Sequence, residues 1–319
     1  MRFAFTEDQL SFRDAVRVLL EKECPPALVR AAWSNESGRT TGAWSGLAEM
    51  GVLGALVPES DGGLGLSELD VVLLAEEAGR VALPEPFVEH VFVGAPLVAS
   101  EAAAMGAITV TAGDPFVLYA DTADVIVRLG HDSFLVDPAR EADLTPHRSV
   151  DASRRLFSVE RGSSDRALSP AEVSFAYWRA NLGLAAQLVG LGHHLLDTTV
   201  EYVLERKQFG VPIGSFQAIK HKLADVRIAL EFAAPLVYRA AYSLTHDDPE
   251  QRIHVGMAKA AAADAAALAA RHALQCHGAI GYSFEYDLHL WIKRVWALGA
   301  AWGDATWHRD LVARAILDS

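Results

Sequence analysis

Gln275-Cys276-His277-Gly278-Ala279-Ile280-Gly281-Tyr282, then Phe284-Glu285-Tyr286, a helical run and Trp302-Gly303-Asp304, is the stretch on which the fold turns. Gly278 and Gly281 permit positive φ and close backbone approach. The string follows a helical pattern instead of a strand, so it is no Rossmann fingerprint. Taken alone it reads as a helix end with a turn. Upstream, Arg206-Lys207-Gln208-Phe209-Gly210 closes one helical run and Gly214-Ser215-Phe216-Gln217 opens the next. A helix N-terminus offers unpaired amides and a positive dipole end, which suits a phosphate. Arg206 adds a permanent planar cation able to grip phosphate oxygens bidentately. In an ordinary surface helix end it would make an ion pair instead.

The 319 residues suffice for two or three domains and a sizeable core. Hydrophobic residues make up 51%, which excludes a disordered chain. The net charge of −13 argues against nucleic acid or an anionic membrane surface as a partner. Two cysteines, Cys24 and Cys276, lie far apart and give neither metal spacing nor a disulfide framework, which fits a reducing compartment. The start of the chain lacks a signal-peptide apolar run. The apolar stretch from Leu182 to Leu196 is too short for a bilayer, which needs roughly 20 apolar residues. A cytoplasmic protein is the expectation.

Outward from the opening stretch, the pattern is helical at both ends and β-like in the middle. Thr6-Glu7-Asp8-Gln9 is a capping box ahead of an amphipathic run through Leu10, Val16, Leu19 and Leu20. A second helix runs near Trp44 to Met50 and stops at Gly51. Val57 to Gly65, with three glycines and a proline, must be a loop, and Ser67 caps a helix from Glu68 to Arg80. Short β-prone runs follow at 116–119, 125–129, 134–136 and 156–159, with 161–165 as a linker. Helices are then expected near 171–205, 215–245, 250–274 and 286–317, joined by short turns, as in a four-helix bundle. The alanine run from Lys259 to Ala270 would allow close helix approach. The division expected is 1–105 helical, 106–163 a reduced β domain, and 164–319 the bundle.

This order and these strings resemble the acyl-CoA dehydrogenase family. Trp44 to Gly51, Val57-Pro58-Glu59 with Gly62 to Gly65, Glu76 to Arg80 and Asp151 to Arg155 are similar to its N-terminal and middle signatures, so the resemblance covers nearly the whole chain. It implies a mainly α fold with a small β domain, FAD as cofactor and an acyl-CoA substrate. It further implies that Arg206, Gln208 and Gln217 contact the FAD diphosphate and nearby groups. Gln275 and Gly278 would line the adenosine end, across a subunit boundary.

The reaction centre departs from the family. The last triplet is usually Glu-Gly-Thr, with the Glu as the base that takes the substrate α-proton, and here Trp302 stands in its place. Indole accepts no proton. The alternative base position used by some members corresponds to Ala180, also empty. Asp304 is the local candidate for rescue, with an N-cap for the last helix as its plainer reading. Nothing between Ala107 and Glu160 matches the family string that hydrogen-bonds the flavin ring; Thr109 to Asp114 reads as strand and turn. No metal is implied by His193-His194, and His277 reads as a turn or packing residue.

These departures resemble the short, base-lacking subunits of heteromeric acyl-CoA dehydrogenases in actinobacteria, many tied to sterol side-chain breakdown. The resemblance implies a heterotetramer in which a full-length partner subunit supplies the base and this chain completes the partner's FAD site. The alternatives are a stand-alone homo-oligomeric flavoenzyme using Asp304, or other superfamily chemistry such as amine or nitroalkane oxidation, and a non-catalytic scaffold subunit.

Overall fold

The computed structural model describes residues 4–100, 108–112, 116–129, 134–136, 143–159 and 164–317. The first helix, α1 (Glu7–Glu23), starts at the expected capping box: Thr6 Oγ1 accepts from the Gln9 amide at 3.2 Å, and Gln9 Oε1 accepts from the Thr6 amide at 2.9 Å. A short helix, α2 (Pro26–Ala32), was not foreshadowed by periodicity; Pro26 sits at its first position, where a missing N–H costs nothing. The helix α3 (Thr41–Glu49) ends ahead of Gly51, whose φ of 75° lets the chain reverse. Residues 57–65 form the expected loop, closed by the Gly65 amide donating to the Val57 carbonyl at 2.8 Å. α4 (Glu68–Arg80) begins where the Ser67 amide and hydroxyl both donate to the Asp70 carboxylate. A π-helical turn (Val88–Gly94) then runs into α5 (Ala95–Val98).

The middle region holds two small sheets. β1 (Ile108–Ala112), β3 (Val125–Leu129), β4 (Phe134–Val136) and β7 (Ser164–Ala167) form one, in the order β1-β3-β4-β7, with β1 and β3 parallel in the register Ile108↔Val125. β2 (Phe116–Leu118), β6 (Leu156–Val159) and β5 (Leu144–His147) form the other, wholly antiparallel. The linker expected at 161–165 is corrected in part: Ser164 and Asp165 belong to β7, because its backbone pairs with β4, and the rest lies outside the described residues.

The remainder is helical: α6 (Pro170–Glu205), α7 (Gln217–Thr245), α8 (Gln251–His277), α9 (Leu288–Ala300) and α10 (Ala305–Leu317). The single run expected at 286–317 is two helices. Trp302 at φ 59° and Gly303 at φ 95° turn the chain between them. The alanine run does allow close approach: Ala258, Ala262, Ala265, Ala266 and Ala269 are buried in the core shared by α6, α7 and α8. α4 and α6 meet backbone to backbone. A Cβ on Gly190 would lie 1.9 Å from the Glu76 carbonyl oxygen, and one on Gly79 2.1 Å from that of Gln187. No side chain fits there, so glycine is required on both helices.

Candidate cofactor and catalytic site

The end of the bundle that the family resemblance assigns to phosphate is built where α6 stops. Arg206 leaves the helix in an extended conformation (φ −66°, ψ 120°) and leads into a two-residue hairpin, β8 (Lys207–Gln208) and β9 (Val211–Pro212). Phe209 (φ 53°) and Gly210 (φ 82°) give the turn the two positive φ angles that match the strand twist. The Ile213 amide returns to the Arg206 carbonyl at 2.8 Å. α7 follows with no side-chain cap and no acidic residue in its first turn, so its first amides are left for an outside acceptor. Arg206, Gln208 and Gln217 are exposed. Gln208 Nε2 donates to the Lys207 carbonyl at 2.9 Å. Among the described residues the Arg206 side chain makes no ion pair, unlike an ordinary surface arginine.

The second string is brought to the same end by an aromatic stack. Tyr202, one turn before Arg206, lies 4.1 Å from the His277 ring at 22°, and His277 sits between Gln275 and Gly278. His277 Nδ1 donates to the Ala273 carbonyl at 2.8 Å, and Nε2 shares a hydrogen bond of 3.2 Å with the Tyr286 hydroxyl. Burial pushes the ring's pKa below the usual value, which favours the neutral form. His277 is a packing residue, as the sequence suggested. Gly278 has φ 64° and ψ −138°, with nothing within 4 Å of a built Cβ, so conformation and not crowding requires glycine. Gln275 and Gly278 are both exposed. Five residues from two distant segments thus share one end of the bundle.

At the family base position the backbone is tied down from three sides. The Trp302 carbonyl accepts from the Tyr177 hydroxyl at 2.6 Å and from His308 Nε2 at 3.3 Å. Lys259 donates to the carbonyls of Ala301 and Gly303, each at 3.0 Å, and lies 3.4 Å from that of Gly299. Lys259 has no exposed surface, and burial, with Arg154 nearby, lowers its pKa to about 7. Burial also holds His308 neutral, at about 4. The Trp302 ring packs against Tyr177, 5.8 Å between centroids. Asp304 is spent on the helix: its Oδ1 accepts from the Trp307 amide at 2.8 Å and its carbonyl from the His308 amide at 3.1 Å. Ala180 is fully buried. Lys259 and Tyr177 were missed from sequence, although a lone lysine inside an alanine-rich helix was a usable signal.

The residues present therefore suit the diphosphate and adenosine end of FAD. Arg206, the uncapped start of α7 and the Gly278 turn offer cation, amides and open backbone to a diphosphate and its adenosine. On the reaction side no proton acceptor stands at 302 or 180. In the run compared with the flavin-ring string, Thr109 to Ala112 lies in β1, while Gly113 and Asp114 fall outside the described residues. Among the described residues there is no group of three or more metal-ligating side chains. No described helix is long and apolar enough to cross a membrane.

A helical N-terminal region, two small sheets and an antiparallel bundle together make the fold of a flavin-dependent dehydrogenase. Comparison with known proteins gives the family. The N-terminal domain of acyl-CoA dehydrogenases matches residues 6–105, and their C-terminal domain matches 172–317. Acyl-CoA dehydrogenase IpdE2 of Mycobacterium tuberculosis is 30% identical over 302 residues, covering 90% of this chain and 91% of its own. Among solved structures, the ChsE4-ChsE5 complex from Mycobacterium tuberculosis superposes with a TM-score of 0.89 at 22% identity over 100% of both chains. The Tcur3481-Tcur3483 steroid ACAD G363A variant gives 0.86 at 22% over 98% of each. The chain belongs to the acyl-CoA dehydrogenase family, FAD-dependent oxidoreductases that act on acyl-CoA.

Proposed function

We propose that the chain is one subunit of a heteromeric acyl-CoA dehydrogenase, in which a full-length partner subunit carries the catalytic glutamate and this chain completes the partner's FAD site. The observation that carries the reading is Trp302, which stands at the family base position with its carbonyl held by Tyr177 and His308 and the carbonyls on either side held by Lys259, in a chain whose Arg206 side chain makes no ion pair among the described residues. In the family reaction a base removes the α-proton of an acyl thioester and a trans-enoyl thioester results; bound FAD supplies the hydride acceptor for the β-carbon.

Each residue of this chain then has a limited task. Arg206 grips diphosphate oxygens, and the α7 amides near Gln217 add hydrogen bonds to the same charge. Gln208 and Gln275 supply amide contacts, and Gly278 lets the backbone come close. Asp304 acts as a helix cap, and proton removal falls to the partner. The ChsE4-ChsE5 structure, a two-component complex, supports the heteromer, and the Tcur3481-Tcur3483 structure, a steroid ACAD, supports a steroid-derived acyl-CoA as substrate.

The test is expression of the chain alone and together with a full-length homologue from a neighbouring gene. Alone it should be colourless. Together they should carry flavin and reduce dye with acyl-CoA. Arg206→Ala in this chain should weaken FAD binding by the complex about 10–100-fold, the equivalent of a lost charge-assisted contact. A yellow chain that turns over acyl-CoA unaided sinks the proposal. Normal FAD binding after both Arg206→Ala and Gln275→Ala would leave only the scaffold role.

A further inference from the structure

The turn that follows α8 is gripped from outside by a segment more than 250 residues away. Arg30, in α2, donates through Nε to the Asp287 carboxylate at 2.8 Å, through Nη2 to the same carboxylate, and through Nη1 to the Phe284 carbonyl. Trp33 follows α2 directly. The Lys293 ammonium lies 4.9 Å from the Trp33 ring and 4.5 Å from the Phe284 ring, so one cation is shared by two aromatic faces. The His289 ring closes the third side, 5.1 Å from Trp33 and 5.0 Å from Phe284. Burial does not explain this arrangement, because Phe284 remains 69% exposed.

What the contacts fix is position. Phe284 and Asp287 stand at the far end of the turn that begins at Gly278, and Tyr202 and Tyr286 brace its near end through His277. Gln275 and Gly278 lie at that braced near end. A glycine turn offers no side-chain packing of its own, so its geometry depends on what holds its ends.

We propose that Arg30, Trp33 and Lys293 form a positioning clamp. It holds the Gly278–Asp287 turn in the geometry that receives the adenosine end of FAD, and so makes cofactor affinity depend on the N-terminal helical region. The clamp rests on the reading of Arg206, Gln275 and Gly278 as cofactor residues. The role proposed for the three residues is positioning, without contact to the cofactor. Lys293 is the informative position: arginine also sits on aromatic faces, whereas methionine keeps length and apolar bulk without charge.

The experiment titrates FAD into the apo heteromer carrying Lys293→Met, Lys293→Arg or Arg206→Ala in this chain, with thermal unfolding recorded for each. Lys293→Met should raise the FAD dissociation constant about tenfold, and Lys293→Arg should stay within about twofold of the parent. Amide exchange at 278–286 in the cofactor-free Lys293→Met protein should be faster than in the parent. A Lys293→Met protein with a lowered Tm but parental affinity overturns the clamp, and so does an arginine variant that fails to rescue. If Arg206→Ala also leaves affinity unchanged, the cofactor assignment itself falls and takes the clamp with it. If only Arg206→Ala weakens binding, the assignment stands and the clamp alone is lost.

Discussion

At the scale of single residues, the difference between a base and a cap is where the carboxylate points. Asp304 was the local acid closest to the family base position, yet its Oδ1 already accepts from the Trp307 amide at the start of α10. An acceptor committed to a helix amide is held away from proton transfer and keeps a structural task. Asp304→Ala should therefore lower stability by about 1 kcal/mol in urea denaturation, while Asp304→Asn, which can also cap, should cost little. Neither change should alter turnover by the assembled enzyme. A large loss of turnover with Asp304→Asn, at unchanged stability, would restore the acid to the mechanism.

Among elements, the informative one is the end of α8, where the chain leaves a 27-residue helix through Gly278. A residue with a Cβ meets no neighbour there, so a purely steric view would allow alanine. The backbone view forbids it, because φ 64° with ψ −138° is a region L side chains rarely adopt. Gly278→Ala should cost about 1–3 kcal/mol of stability, read by thermal or chemical unfolding. It should also weaken FAD binding, since the turn would relax to a different path. Unchanged stability in that variant would mean that the turn is not held in this conformation. Gly281 differs: its φ is ordinary, and a Cβ there would lie 3.1 Å from His277 Cβ and Leu274 Cδ1, a tight contact that the neighbours would have to relieve by a small shift.

On the scale of the whole molecule, Lys259 ties α8 to the link between α9 and α10 and feels charges from elsewhere in the fold. Arg154, in the link between β5 and β6, pushes its pKa down, Asp304 pulls it up, and neutral His308 lies close by. The folded value near 7 lies below the ordinary 10.5, so burial disfavours the charged form. That penalty is complete below about 7 and fades as pH rises toward 10.5. The parent protein should therefore gain stability relative to Lys259→Met as pH rises through this window, measured by urea denaturation at several pH values. A pH-independent difference would show that the amine is not buried as described. Much of this architecture was legible in the residues alone: the capping box at Thr6, the order of helical and β regions, the alanine-lined bundle and the loss of a base at Trp302. Those features depend on local periodicity and side-chain chemistry, which neighbouring residues carry. The break between α9 and α10, the Tyr202–His277 stack and the Lys259 cage were not. The stack and the cage join residues tens of positions apart, and a sequence pattern has no record of which helix faces meet; the break rests on positive φ at Trp302 and Gly303, which helical periodicity does not show. The sequence determined that this chain keeps Arg206 ahead of a helix start with no acidic residue and has no proton acceptor at the family base position. Only the tertiary structure decided that the two strings share one end of the bundle and that the backbone on either side of Trp302 is fastened by a buried amine, because burial and distance are properties of the packed fold.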